Sequence, residues 1–148
     1  MQDKDILGRL APCGLDCTKC AGYAKGEIME HSGKLLHLLR SFDRYAEKFS
    51  AFLPVFGNYP PFKEMLLHFS QANCMGCRNG KCGNPNCGVI SCYQLKGVDF
   101  CFQCDEFPCN KTNFDHDLKE RWIQMNNRMK EIGTESYFEE TRDLPRYR

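Results

Sequence analysis

The 148-residue sequence lacks any apolar run of membrane-spanning length: its longest, Leu35 to Leu39, is interrupted by His37, and a bilayer helix needs about 20 such residues. No membrane span is expected. It also lacks the cationic start and apolar stretch of a secretory leader, opening instead on Met1-Gln-Asp-Lys-Asp-Ile-Leu-Gly, which reads as a cytoplasmic chain. Excess charge of either sign is missing, with 20 Lys and Arg against 19 Asp and Glu for a formal charge of +1. Leu, Ile, Val and Phe are few, 32 in all, enough for one modest core and for a single domain at this length.

What the sequence has in excess is cysteine, 11 residues. An odd number cannot pair completely within one chain, and closely spaced cysteines in a reducing compartment point to metal ligation rather than to disulfides. A first cluster is Cys13-Gly-Leu-Asp-Cys17-Thr-Lys-Cys20; a second runs Cys74-Met-Gly-Cys77, Cys82, Cys87, Cys92, Cys101-Phe-Gln-Cys104 and Cys109. Two residues between cysteines let both sulfurs face one ion, and glycines such as Gly14, Gly76, Gly83 and Gly88 let backbone N–H groups approach the thiolates. Zinc is the expected metal, because four-thiolate closed sites are its usual structural arrangement.

Eight cysteines in the second cluster make two sites. A sequential partition puts Cys74, Cys77, Cys82 and Cys87 around one ion and Cys92, Cys101, Cys104 and Cys109 around the other; a crossed partition satisfies the same spacing. Cys13, Cys17 and Cys20 would form a third site with a fourth ligand such as His31 or a carboxylate. Binding free energies of about 10 to 16 kcal/mol for structural zinc match the whole stability of an ordinary domain, about 5 to 15 kcal/mol. Residues 74 to 110 hold few large apolar side chains, so chelation is expected to unfold them.

The pattern elsewhere is helical. Leu35, Leu38, Leu39, Phe42, Tyr45, Phe49 and Phe52 recur at steps of three and four, predicting one amphipathic helix from Glu27 to about Leu53, ended by Pro54. A second opens at Pro60-Pro61, carries Phe62, Met65, Leu66 and Phe69, and stops near Asn73. Thr112-Asn-Phe-Asp115 has the form of a capping box for a third, with Leu118, Trp122, Met125, Met129 and Ile132 as its seam and Gly133 as its end. Residues 1 to 26 read as loop-rich, 74 to 110 as knuckles, short strands or single turns, 134 to 141 as a short turn and 142 to 148 as a polar tail. The fold class expected is one mainly α domain over 1–148, with residues 1–73 and 111–141 supplying helices and 74–110 a zinc-organised irregular segment.

Catalysis finds little support. There is no local Cys/His signature, no G-x-S-x-G elbow and no phosphate-cradling glycine loop; His31, His37, His68 and His116 sit at no metal spacing, and no small-molecule substrate is identified. Asp16, Asp105 and Glu106 read as solvated or hydrogen-bonding carboxylates beside ligands. The principal rival is an iron–sulfur redox or accessory protein, since Cys13-x3-Cys17-x2-Cys20 has the spacing of radical S-adenosylmethionine enzymes. The chain is too short for their barrel, and the second cluster shows neither ferredoxin spacing.

The other rival is a nucleic-acid-binding zinc protein. Eight thiolates with two zinc ions take four charges from the formal +1, leaving −3, and eleven with three leave −4. The cysteine-rich segment holds only Arg78, Lys81 and Lys96 against Asp99, Asp105 and Glu106, so nucleic acid is not the expected partner. The leading reading is a non-catalytic zinc-stabilised interaction module with a protein partner.

The combination Cys13-Gly-Leu-Asp-Cys17-x-x-Cys20 with Tyr23, Cys74-x-Gly-Cys77-Arg, Cys87 to Cys92 with Lys96-Gly-Val, and Cys101-x-x-Cys104-x-Glu-Phe-Pro-Cys109 resembles an uncharacterised prokaryotic family of small cysteine-rich proteins, a domain of unknown function. Lys130-Glu-Ile-Gly133 is similar to its downstream segment. The resemblance spans residues 11 to 134 and implies a zinc-binding protein; it implies no substrate or reaction. Some relatives carry a further cysteine pair after this helix, which the 142–148 tail here lacks.

Overall fold

The computed structural model describes residues 3–80 and 82–148; Met1, Gln2 and Lys81, the last counted above among the cations of the cysteine-rich segment, lie outside them. The described chain is mainly helical. In order come α1 (Asp3–Arg9), α2 (Glu27–Leu38), α3 (Asp43–Ser50), α4 (Tyr59–Ser70), α5 (Val89–Lys96), α6 (His116–Ile132) and α7 (Thr134–Thr141). Single 3-10 turns occupy Cys17–Lys19, Pro54–Asn58, Cys77–Asn79 and Cys101–Gln103. Among the described residues there is no β-strand, only an isolated bridge between Leu10 and Asp16, and no helix long and apolar enough to cross a membrane.

The chain divides into two compact units: residues 20–73, and residues 1–19 with 74–148. In the 20–73 unit the expected single helix is two. The ladder closes with Leu39 N–H on the Leu35 carbonyl, and Phe42 starts α3. No proline or glycine marks the break at 39–42. Its reason is packing: Phe42 lies 5.1 Å from the Tyr59 ring and 6.1 Å from Phe49, so the α2–α3 corner brings the aromatic face of α3 onto α4. The Leu39 carbonyl accepts from Phe42 N–H at 2.9 Å and also from Tyr59 Oη, at 3.2 Å. Of the predicted seam only Leu39, Phe42 and Phe49 are even half-buried; Leu38 and Phe52 remain 77% and 67% exposed.

The other unit is built on α6. Its N-cap is Asp115, whose carboxylate accepts from Leu118 N–H at 2.9 Å, three residues later than the Thr112 cap expected; Thr112 Oγ1 instead accepts from Phe114 N–H. Gly133, at φ +84°, ends α6 and at once starts α7, so residues 134–141 are a helix rather than a turn. The N-terminal stretch differs likewise: residues 3–9 form α1, which brings Ile6 and Leu10 into the core. Ile6, Leu10, Phe100, Met125, Met129, Tyr137 and Phe138 form one buried cluster. Ala11, Cys13, Cys17, Val89 and Trp122 form a second, and it is this one that borders the cysteines.

Candidate metal centre

Three local devices shape the cysteine-rich segments. The first is a recurrent turn in which the N–H of residue i+2 donates to the sulfur of cysteine i: Gly76 to Cys74 and Asn84 to Cys82, both at 3.4 Å, Leu15 to Cys13 and Val89 to Cys87. Gly76 takes φ +99°, which its position between two cysteines requires. Donors aimed at sulfur favour the ionised form and orient it for a cation. The second is a clamp: Arg78 donates to the carbonyls of Leu10 and Asp99 at 3.0 and 2.7 Å and lies over the Phe100 ring. The third is Gly88, whose N–H donates to Thr112 carbonyl at 3.1 Å and holds the start of α5 beside the segment leading to α6.

These devices bring sulfurs together in two places. Cys77 lies against both Cys17 and Cys82, and Cys82 in turn against Cys87. Along this chain of contacts Cys82, receiving thiol hydrogen bonds from Cys77 and Cys87, is pushed well below the ordinary thiol range. Cys17, hydrogen-bonded by Cys77, is lowered to about 7, while Cys77 and Cys87 are raised by donating to their neighbours. Cys13 shares a cavity with Cys77, Cys82 and Cys87, and burial pushes its thiol up to about 11. Arg146, on the C-terminal tail, borders the same cavity and donates to the Asp16 carbonyl at 2.8 Å; its charge favours the thiolates of Cys13, Cys17 and Cys82.

Cys92, Cys101, Cys104 and Cys109 line a separate cavity beneath Trp122. Its free space, about 30 Å³, admits an ion or a water or two and no organic ligand. Burial pushes Cys101 up to about 12, partly offset by the nearby Trp122 indole. That indole N–H, though close, makes no hydrogen bond of acceptable geometry, and an unpaired buried donor costs about 1 to 3 kcal/mol.

The remaining candidates fall elsewhere. Cys74 takes the Gly76 N–H described above; the sulfur contacts of Cys77 run to Cys17 and Cys82. Cys20 belongs to the other unit, where its carbonyl accepts from Tyr23 N–H at 2.9 Å. His31, the fourth ligand suggested for a third site, is exposed on α2. Among the described residues, no three His, Cys, Asp or Glu side chains surround a common point closely enough to hold an ion. What surrounds the sulfurs is a set of N–H groups aimed at sulfur, two cavities with cysteines in their lining, and a buried indole donor without a partner. Sequence spacing missed Arg146 and Trp122, the first because the tail carries no motif, the second because its place on the α6 seam marks it as a packing residue.

Among the described residues, Arg78, Lys96 and Lys111 are engaged internally. Lys96 pairs with Glu106 at 2.9 Å, Lys111 pairs with the same carboxylate, and Arg78 is spent on the clamp.

Fold and site together define a small, mainly helical, cysteine-rich protein. Residues 9–114 match the model of a family described as "Protein of unknown function (DUF3795)", and the chain belongs to that family. No curated protein and no solved structure matches it.

Proposed function

We propose that this protein is a zinc-stabilised interaction module without catalytic chemistry, holding one ion through Cys17, Cys77, Cys82 and Cys87 and another through Cys92, Cys101, Cys104 and Cys109. The observation that carries the reading is that Cys77, Cys82 and Cys87 line one cavity with Cys13, while Cys17 lies in the buried cluster against which Cys77 and Cys87 pack, with backbone N–H groups pointing at sulfur. Two of the cysteines are buried and the other nine half-buried, and ligation would give their clustering a purpose. A bound ion would supply the positive charge that lets these sulfurs ionise together, and would cross-link segments that have little apolar core of their own. The assignment takes Cys17 where the sequential partition had Cys74, on the ground that Cys77 and Cys87 pack against the buried cluster that holds Cys17. Lys96, Lys111 and Arg78 are occupied within the chain, which argues against a phosphate-backbone partner and leaves a protein as the expected one.

Cobalt titration of the reduced protein under argon tests this. Two equivalents should develop sulfur-to-cobalt charge-transfer absorption and the visible bands of tetrahedral coordination. Cys82→Ser should abolish one equivalent and Cys104→Ser the other. Absence of charge-transfer bands in the wild type would overturn the proposal, and broad absorption near 400 nm in the untreated protein would favour an iron–sulfur centre instead.

A further inference from the structure

Trp122 is the single tryptophan of the chain, 1% exposed and placed on the inward face of α6. Its ring is packed on two sides, by Phe107 at 5.0 Å and Phe114 at 6.1 Å, both edge-on. Its Nε1 is fully buried and has no hydrogen-bond partner. Indole nitrogen only donates, so the pairing it lacks must come from an acceptor at the same place. Among the groups lining the adjoining cavity are Cys92, Cys101, Cys104 and Cys109, with Cys101 the one against the indole. A neutral thiol is a weak acceptor, whereas a thiolate is a strong one. Buried polar groups without a partner are rare in folded chains, and each has a reason. A donor held beside a cavity lined by four cysteines supplies one.

We infer that Trp122 is a positioning residue of the second sulfur site: its indole N–H is reserved for the Cys101 sulfur and pairs with it when Cys101 ligates a divalent metal ion. The inference rests on the metal reading above and deepens it. It makes α6 part of the site: the helix that carries Trp122 also fixes the Cys13 carbonyl through Asn126, so metal loading at Cys101 stiffens the element on which the whole unit is built. It also separates the two sites in kind. The contact chain from Cys17 to Cys87 draws its stabilising charge from Arg146, and the Cys101 site draws a neutral hydrogen bond from Trp122. Partners of this kind around a ligand sulfur change metal affinity by about ten- to a hundredfold.

The test uses the indole itself. With one tryptophan, the nitrogen-labelled protein gives a single indole N–H signal. Loading with zinc should move it downfield and slow its solvent exchange, and loading with cadmium-113 should add a scalar coupling between the metal and the indole proton. Trp122→Phe should still bind two ions, with one released at about tenfold lower chelator concentration and the other unchanged; a purely structural loss of the ring would weaken both alike or lower only the unfolding midpoint. A wild type that binds two ions while its indole signal stays where it was in the metal-free protein would overturn this inference and leave the metal reading standing. A wild type that binds no metal would overturn both.

Discussion

The Asn126 side chain, with 0% of its surface exposed, donates to the carbonyl of Cys13 at 2.9 Å across 113 positions of sequence. The same amide donates to Trp122 carbonyl at 2.9 Å and accepts from Phe102 N–H at 3.0 Å. One amide on α6 thus ties the first cysteine segment and the turn of Cys101–Gln103 to a common support. Asn126→Ala leaves a buried N–H and a buried carbonyl unpaired, a cost of about 3 kcal/mol. Urea unfolding should show that loss, and Asn126→Asp, which sets a buried carboxylate against the Cys13 and Trp122 carbonyls, should lose at least as much.

Gly88 is in an ordinary helical conformation, yet a Cβ there would lie 2.0 Å from the Lys111 carbonyl oxygen. Backbone has to move to admit it. Gly88→Ala should destabilise the unit by about 1 to 3 kcal/mol, separating the Cys87 turn from the segment after Cys109. Thermal unfolding would reveal this, and an unchanged midpoint would contradict the packing described.

Burial raises Cys13 from the ordinary 9 to about 11, so its neutral form stabilises the folded state. A raised pKa gives stability that is complete below about pH 9 and is lost as pH rises through about 11; two pKa units correspond to about 2 to 3 kcal/mol. The difference in urea midpoint between wild type and Cys13→Ala should shrink over that interval. At pH 8 Cys13 should also resist alkylation under conditions that label an exposed thiol.

Arg146 brings a guanidinium to the cavity shared by Cys13, Cys77, Cys82 and Cys87. Arg146→Gln should weaken metal binding there by about fivefold to tenfold, Arg146→Lys less, and neither should touch the Cys92–Cys109 site. Competition with a chromophoric chelator separates the two. Its neighbours show why the tail is docked at all: Lys19 reaches the carbonyls of Arg142 and Leu144, and Arg121 donates to the Arg146 carbonyl at 2.8 Å.

The sequence made some of this legible and concealed the rest for identifiable reasons. The helix behind Pro60-Pro61 and the seam from Leu118 to Ile132 were readable because proline placement and a period of three and four are local signals. The break at Leu39–Phe42 was not, since the Phe42 ring turns toward Tyr59 only in the folded chain. Gly133 has the form of a stop, and it is one, but a single residue at positive φ also lets a new helix begin. At the sulfurs, spacing groups cysteines that are near in sequence, while Cys17 meets Cys77 across the whole of the 20–73 unit. No spacing rule reaches that far.

The most direct test of the central claim is the metal content of protein purified without oxygen or added metal, measured by elemental analysis and by native mass spectrometry of the same sample. The account predicts two zinc ions per chain and no disulfide, with one ion lost in Cys82→Ser and the other in Cys104→Ser. A folded, metal-free chain, or one whose mass shows cystine bridges within residues 74–110, would contradict it.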